Sequence, residues 1–156
     1  LTIAETLNDS FPQAGVWPEA SADRALARRL CAEMHAGFSM LRSLCPMNIE
    51  ASLPEIGSEM MGKDEGLGRD IAALESLLVP VLERSGGEFL FGSFCAADAF
   101  YAPVASRFKT YGLPASKTLA AYFERVLSSA AVAAWISDAL KEQRFVPFDE
   151  PYRSER

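Results

Sequence analysis

The single histidine of the chain, His35, and the polar side chains around it are the residues whose types and spacing suit chemistry. Arg28, Cys31, His35, Ser39 and Arg42 recur at spacings of three and four, which places them on one stripe of a helix. Cys31 and His35, one turn apart, suit a metal ion, but a site needs further ligands and the sequence offers none nearby. A serine-hydrolase triad would also need His35, and no G-x-S-x-G motif accompanies it. Otherwise a lone histidine on a helix is a surface or hydrogen-bonded structural residue.

A long helix must carry this stripe. Ser21 is followed by an acidic residue, Asp23, so we predict Ser21 as the N-cap of a helix that runs to Leu44. A second stripe beside the polar one is apolar and is predicted to face the core. Its members are Leu26, Leu30, Met34, Phe38 and Leu41.

The segment from Gly92 to Tyr111 is predicted to be the central helix of the fold. Between Cys95 and Ser106 its only charged residue is Asp98. Alanines and aromatic residues cover every side at helical spacing, which is typical of a helix buried inside a bundle. Cys95 and Asp98 have the spacing of a capping box, in which the carboxylate accepts a hydrogen bond from the backbone N–H of the N-cap residue. We therefore assign both residues a structural role.

The remaining segments predict further helices and no strands. A helix over Asp64 to Arg84 is predicted to be stopped by Ser85-Gly86-Gly87. The seam that packs it against a neighbour consists of Leu67, Ile71, Leu74, Leu78 and Val81. Its outward residues Arg69, Asp70 and Glu75 are predicted to be solvated or to contact a partner at the rim of an interface. The stretch from Cys45 to Lys63 contains prolines and glycines and is predicted to be a loop with at most one helical turn. Two last helices are predicted, one with Ser116 as its N-cap and one that begins at Ala131. The apolar face of the second consists of Val132, Trp135, Ile136, Ala139 and Leu140.

Composition excludes several classes of protein. The chain has 156 residues, 49% of them hydrophobic, which suffices for one core. Its net charge of −6, without a cluster of basic residues, argues against nucleic acid or an anionic membrane as a partner. No signal peptide or apolar run of membrane-spanning length is present, and the three cysteines form no C-x-x-C pair, so we expect a soluble cytoplasmic protein with reduced thiols. Phosphate-loop, dinucleotide and zinc-protease motifs are absent.

The start of the central helix resembles a known family. The residues Phe91-Gly92 and Phe94-Cys95-Ala96-Ala97-Asp98 are similar to the [FG]-x-x-[ST]-x-A-D motif in the C-terminal domain of cytosolic glutathione S-transferases, with Cys95 where that motif has Ser or Thr. The resemblance implies an all-α helical bundle around a central buried helix. It also implies that residues 1–12 are the last helix of a thioredoxin-like domain, 13–20 a linker, and 21–156 the C-terminal-type helical domain.

The segment around His35 carries a narrower resemblance. Glu33-Met34-His35-Ala36-Gly37-Phe38 is similar to the E-[LM]-H-x-[GS]-F segment of bacterial beta-class transferases, although Ala36 stands where that family often has Lys. This implies that His35 lies on the wall of the cleft as a catalytic residue and donates a hydrogen bond to a thiolate or substrate. Arg28, Cys31, Ser39 and Arg42 would then be substrate-binding residues. It further implies glutathione as a substrate, no metal, a small electrophilic second substrate and a homodimer.

Three functions remain open from the sequence. The chain is part of a transferase-like enzyme, with the chemistry dependent on an upstream thioredoxin-like domain and the chain by itself inactive. Alternatively, it is a non-catalytic interaction module with the same helical fold. The third possibility is the product of a truncated or degenerate gene.

Overall fold

The computed structural model describes residues 1–156, and the chain is all-α. No strand is formed, and the only β-type pairing is two isolated bridges in the turn that joins Phe89 to Ser93. The all-α fold class predicted from the sequence is confirmed. The helices are α1 (Thr2–Ser10), α2 (Ser21–Ala36), α3 (Ser39–Leu44), α4 (Pro54–Lys63), α5 (Glu65–Ser85), α6 (Ala96–Tyr111), α7 (Lys117–Ser128) and α8 (Ala130–Lys141), with a short 3-10 turn at Pro12–Ala14.

Helix α6 is the centre of the bundle, as the sequence predicted, but one of its faces is open. It packs against α2, α4 and α7 through side chains that include Tyr101, Val104 and Phe108. On the opposite side Ala99 is exposed and Pro103 is half-buried. The expectation that α6 is buried all round is therefore wrong for this face. An apolar pattern on every side of a helix cannot indicate which side this chain covers with its own residues.

The long helix predicted from Ser21 to Leu44 is broken into α2 and α3. Gly37 is extended and Phe38 takes a left-handed conformation, with a φ of 55°. Ala20 occupies the N-cap position and Ser21 is the first helical residue, so the predicted cap is one residue off. The apolar stripe still faces inward, because Leu30, Phe38 and Leu41 are buried and Leu26 and Met34 pack against the core.

Helix α5 matches its prediction closely. Every residue of the predicted seam is buried, and Gly86 ends the helix with a left-handed φ of 62°. Asp64 is the N-cap and its carboxylate accepts a hydrogen bond from the N–H of Gly66 at 2.7 Å. These features are local in sequence, which explains why the pattern alone predicts them.

Two carboxylates of α5, which the sequence analysis left as solvated or rim residues, cap other helices. The Asp70 carboxylate accepts hydrogen bonds from the N–H groups of Met40 and Leu41, both at 2.9 Å, and so binds the start of α3. The Glu75 carboxylate accepts hydrogen bonds from the backbone N–H and the hydroxyl of Ser116, the N-cap of α7. Each carboxylate thus satisfies donors at a helix start that have no partner within their own helix.

Helix α4 lies where the sequence predicted a loop. Pro54 occupies the first turn, where its missing N–H costs nothing and its fixed φ favours the helix. The backbone N–H of Leu53 donates to the carbonyl of Thr110 at 2.7 Å, which ties the start of α4 to the end of α6. The loop prediction is therefore wrong for residues 54–63.

Apolar residues at both ends of the chain point outward. In α1, Ile3 is 79% exposed and Leu7 is 45% exposed. In α8, Val132 is buried and Ile136 packs against the core, but Trp135 is 53% exposed, so the face predicted to join the bundle does so only in part. In the tail, Phe148 is fully outside the core.

The tail after α8 is held by polar contacts and one aromatic pair. The hydroxyl of Tyr152 donates to the carbonyl of Leu44 at 2.8 Å, and the Tyr152 ring meets Tyr111 edge-on. Arg153 forms ion pairs with Glu50 and Glu150.

By length and apolar content, no individual helix qualifies as a membrane span. Helices α7 and α8 pass that test only when taken together as a pair bent by 66°.

Candidate functional site

The fully buried carboxylate of Asp98 accepts three hydrogen bonds at the start of α6. One oxygen accepts a hydrogen bond from the N–H of Cys95 at 2.9 Å, which completes a capping box with that residue. The other accepts from the N–H of Leu90 at 3.1 Å and from the hydroxyl of Tyr122 at 3.0 Å. Asp98 therefore joins the turn before α6, the start of α6 and α7, and it lines none of the cavities described below.

The stability of the protein should depend on pH through Asp98. Burial raises the pKa of its carboxyl above the ordinary value, and the hydrogen bonds to Cys95, Leu90 and Tyr122 offset only part of that shift. Because the raised pKa favours the protonated form in the folded state, the contribution of Asp98 to stability is greatest below about pH 3.9 and is lost as the pH rises through the folded pKa. We expect the free energy of unfolding of the wild type, relative to Asp98→Asn, to rise as the pH falls from 7 to 4. A fall over that range in urea titrations would contradict the assignment.

His35 lies in the last turn of α2 with its side chain exposed. Its imidazole makes no hydrogen bond to the protein, and only its backbone carbonyl is engaged, by Arg42. Burial raises the pKa of Cys31, one turn earlier, to about 12. The ion pair between Glu5 and Arg28 holds α1 against the same helix, two turns before His35. The imidazole is therefore free to meet a ligand or another domain beside α1.

Arg28, predicted to bind substrate, is engaged within the chain. Its guanidinium donates two hydrogen bonds to the Glu5 carboxylate, at 2.7 and 2.8 Å, and lies 5.6 Å from the centre of the Trp17 ring. These contacts hold α1 and the linker against α2. Because both side chains are partly exposed, solvent screens the pair and its contribution to stability is small.

The other predicted substrate-binding residues do not converge on one cleft. Cys31 is completely buried in the core, whereas Ser39 and Arg42 are exposed on α3, beyond the break at Gly37. The five side chains line none of the cavities described below. The only side-chain hydrogen bond among these five residues is the one from Arg42 to the backbone carbonyl of His35.

None of the three cysteines suits the role of nucleophile. All are free and buried. Burial raises the pKa of Cys45 to about 11 and that of Cys95 to about 12, so neither forms a thiolate near neutral pH. No group of three or more histidine, cysteine or acidic side chains is arranged to hold a metal ion.

An apolar groove runs along the open face of α6. It consists of two cavities that share Phe94 and Ala99, one of about 460 Å³ between α1, the linker and α6, and one of about 310 Å³ between α6 and α8. No charged residue lines either cavity, although 23% of the chain is charged. A continuous apolar surface of this kind marks a place where another domain, protein or ligand binds. Its remaining lining residues are Leu1, Ile3, Ala4, Leu7, Ala14, Gly15, Val16, Cys95, Ala96, Phe100, Ala102, Pro103, Ser106, Leu127, Ala131, Val132, Trp135 and Ile136.

A polar cavity of about 520 Å³ lies between the loop after α3, the end of α8 and the tail. Asn48 and Glu150 meet in it through a hydrogen bond of 2.7 Å, and Arg153 and Arg156 pair there with Glu50. The cations of this cavity are largely neutralised by carboxylates of the same cavity. Its contacts fasten the tail to the loop, and Arg144 is the one lining cation that forms no ion pair.

Six solved chains are similar in fold to this chain. No protein-family model matches the sequence, and no curated protein matches it. A crystal structure of a glutathione transferase homologue from Burkholderia GL BGR1, with bound glutathione, aligns over 90% of this chain with a TM-score of 0.65 and 24% identity. The chain spans 65% of the length of that protein.

This likeness shows the fold of the chain. The helical arrangement around α6 is of the glutathione transferase C-terminal type, as the resemblance in the sequence implied. The site residues need separate evidence, because likeness of fold does not by itself transfer a function.

Proposed function

We propose that this chain is the helical part of a glutathione transferase-like enzyme that conjugates the thiolate of glutathione to small electrophiles. The observation that carries the proposal is the fold match over 90% of the chain to a glutathione transferase homologue with bound glutathione. In this proposal residues 1–12 are the last helix of a thioredoxin-like domain, residues 13–20 the linker and residues 21–156 the helical domain. The protein is cytoplasmic and forms a homodimer.

The apolar groove supports an upstream domain. Its lining residues come from α1, the linker and α6, the elements that would lie nearest to a domain whose last helix is α1. Burying exposed side chains such as Ile3 and Leu7 there gains roughly 25 cal/mol for each Å² removed from water. Covering the groove with a covalently connected domain is therefore more favourable than leaving its apolar side chains exposed to water.

The reaction that we propose is a substitution or an addition at an electrophilic carbon. The thiol of glutathione gives its proton to solvent and its sulfur forms a C–S bond with the electrophile. In a substitution the leaving group departs with its bonding electrons, and in an addition the π bond breaks and the resulting carbanion takes a proton from solvent. The upstream domain would bind glutathione. The free imidazole of His35 would donate a hydrogen bond to the thiolate, which lowers the pKa of the thiol and fixes the position of the sulfur.

One observation favours a second candidate, a non-catalytic interaction module. The predicted substrate-binding side chains do not surround a common cavity, since Arg28 pairs with Glu5 and Cys31 is buried in the core. A module would use the apolar groove for a protein partner and would have no need of His35.

A conjugation assay separates the two candidates. We expect the protein encoded by the complete reading frame to form a thioether from glutathione and 1-chloro-2,4-dinitrobenzene, followed by absorbance. His35→Ala should lower kcat/KM by about 10- to 100-fold, the loss expected for one hydrogen bond to a charged group. Glu33→Ala, an exposed neighbour on the same helix, is the matched control and should leave the rate within about twofold. Absence of conjugation would favour the module, and an unchanged rate in His35→Ala would leave His35 a surface residue.

A further inference from the structure

One ion pair joins α1 to the helix that carries His35. The Nε and Nη2 groups of Arg28 donate to the two oxygens of the Glu5 carboxylate at 2.7 and 2.8 Å, so the pair is bidentate. Two parallel hydrogen bonds require the planar groups to face each other, and the pair therefore fixes an orientation as well as a distance. Arg28 precedes His35 by seven residues, which is two turns of α2.

This pair is the only polar contact between α1 and the helical bundle. No other hydrogen bond and no other ion pair joins residues 1–12 to residues 21–156. Of the side chains of α1 only Ala4 is buried, whereas Ile3 and Leu7 are exposed. Among polar contacts, the orientation of α1 on α2 thus depends on Glu5 and Arg28 alone.

The linker supports the pair from the other side of the guanidinium. Trp17 is 4% exposed, and the centre of its ring lies 5.6 Å from the guanidinium carbon of Arg28, within range of a cation–π contact. The carbonyl of Val16 accepts a hydrogen bond from the N–H of Ala96 at 2.9 Å, which fixes the linker to the start of α6. Arg28 is therefore held between a fixed linker and Glu5.

We propose that the Glu5–Arg28 pair sets the orientation of the upstream domain on α2 and thereby positions the sulfur of glutathione against His35. The inference rests on the proposed function, in which α1 is the last helix of that domain and the domain binds glutathione. A small rotation of α1 moves atoms farther along that domain by a larger distance, and a shift of about 1 Å is enough to slow a reaction. Glu5 and Arg28 touch no substrate in this account, so they are positioning residues.

The first test separates positioning from binding. In the complete protein, Arg28→Gln should lower kcat for conjugation of 1-chloro-2,4-dinitrobenzene by about 3- to 10-fold, a modest loss because solvent screens the pair. Calorimetry should show the Kd for glutathione changed by less than about twofold, because the apolar groove still seats the domain that binds it. Arg84→Gln removes the ion pair of 2.7 Å between α5 and Asp23 of α2, and is the matched control that should change neither value. An unchanged kcat in Arg28→Gln, or an equal loss in Arg84→Gln, would overturn the inference.

Two double variants test whether the pair acts through His35. Glu5→Arg alone places two like charges together and should lower kcat by about 10-fold, whereas Glu5→Arg combined with Arg28→Glu restores an ion pair and should return kcat to within about threefold of the wild type. In a protein that already carries His35→Ala, adding Arg28→Gln should lower kcat by less than about twofold, because no imidazole remains to be aligned. The same loss in both backgrounds, or no rescue by the exchanged charges, would reduce the pair to a structural contact.

A distance measurement keeps this inference separate from the proposed function. Spin labels on Thr6→Cys and Glu33→Cys, two exposed positions on α1 and α2, report the arrangement of the two helices in the complete protein, and the protein without these two cysteines gives the background. The native cysteines of this chain are buried, which protects them from the label. The wild type and Arg84→Gln should give one narrow distance distribution, and Arg28→Gln should give one at least about twofold broader.

The two proposals then fail separately. If the wild type conjugates nothing but the distribution broadens in Arg28→Gln alone, the proposed reaction fails and the orienting role of the pair stands. If conjugation proceeds and the distribution in Arg28→Gln equals that of the wild type, the orienting role fails and the reaction stands.

Discussion

Replacing Asp98 with alanine should lower the free energy of unfolding by about 4 kcal/mol, one of the largest effects of any single substitution in this chain. The substitution leaves the buried N–H groups of Cys95 and Leu90 and the hydroxyl of Tyr122 without their acceptor. Each such orphaned group costs roughly 1–3 kcal/mol. Removal of a buried carboxylate also recovers its desolvation cost, but removing one partner of a buried polar network destabilises by more than it recovers.

Urea unfolding at pH 7 measures this effect, and two further variants bracket it. Asp98→Asn keeps one acceptor oxygen and should lose about half as much stability as Asp98→Ala. Asp138→Ala removes an exposed carboxylate that pairs with Lys141 on α8, so its effect should stay within about 0.5 kcal/mol. A loss below about 1 kcal/mol in Asp98→Ala would show that the hydrogen bonds to Asp98 do not stabilise the start of α6.

Gly57→Ala should destabilise the protein by about 3 kcal/mol, because α4 touches the end of α6 at this residue. A Cβ atom added to Gly57 would lie 1.9 Å from the carbonyl oxygen of Tyr111 and 2.9 Å from its carbon. A backbone carbonyl at the end of a packed helix cannot rotate away as a side chain can. The two helices would have to separate, which also strains the hydrogen bond from the N–H of Leu53 to the carbonyl of Thr110.

The same helix contains its own control. No atom lies within 4 Å of a Cβ built on Gly62, so Gly62→Ala meets no obstacle. Alanine loses less backbone entropy than glycine on folding, so Gly62→Ala should be neutral or stabilise by up to about 1 kcal/mol in thermal unfolding. Equal losses in the two variants would mean that α4 itself, rather than its contact with α6, is sensitive to substitution.

The parts of the fold that depend on local patterns were predictable from the sequence. The seam of α5 repeats every three or four residues and is buried as predicted, and Gly86 ends that helix because glycine adopts a left-handed conformation without strain. The contact between Asp98 and Cys95 spans only three residues, so its spacing was visible in the sequence. The donors Leu90 and Tyr122 lie 8 and 24 residues away from Asp98 in the sequence, and their hydrogen bonds to it could not be predicted from spacing.

Contacts between distant residues account for the predictions that failed. Asp70 and Glu75 cap helices 29 to 41 residues away, and nothing in their neighbouring sequence indicates it. The break at Phe38 needs a left-handed residue that is not glycine, a conformation that local propensity disfavours. Tertiary contacts decide these positions, among them the hydrogen bonds of Asp70 to the first turn after the break.

The candidate site was predicted less well than the fold. The helical spacing of Arg28, Cys31, His35, Ser39 and Arg42 is correct only as far as α2 continues, and it cannot indicate that Cys31 faces the core. The apolar faces of α1 and α8 were visible as patterns, but a pattern cannot indicate that the chain leaves them uncovered.

The central claim is that this helical chain completes a glutathione site together with a domain seated on the apolar groove. The most direct measurement is a calorimetric titration of the protein encoded by the complete reading frame with glutathione, repeated with Ala99→Glu, which places a charge in the groove. The account predicts saturable binding with a Kd of about 1 mM or tighter, weakened at least about 10-fold by Ala99→Glu. Absence of binding at about 10 mM glutathione, or equal binding in the variant, would contradict it.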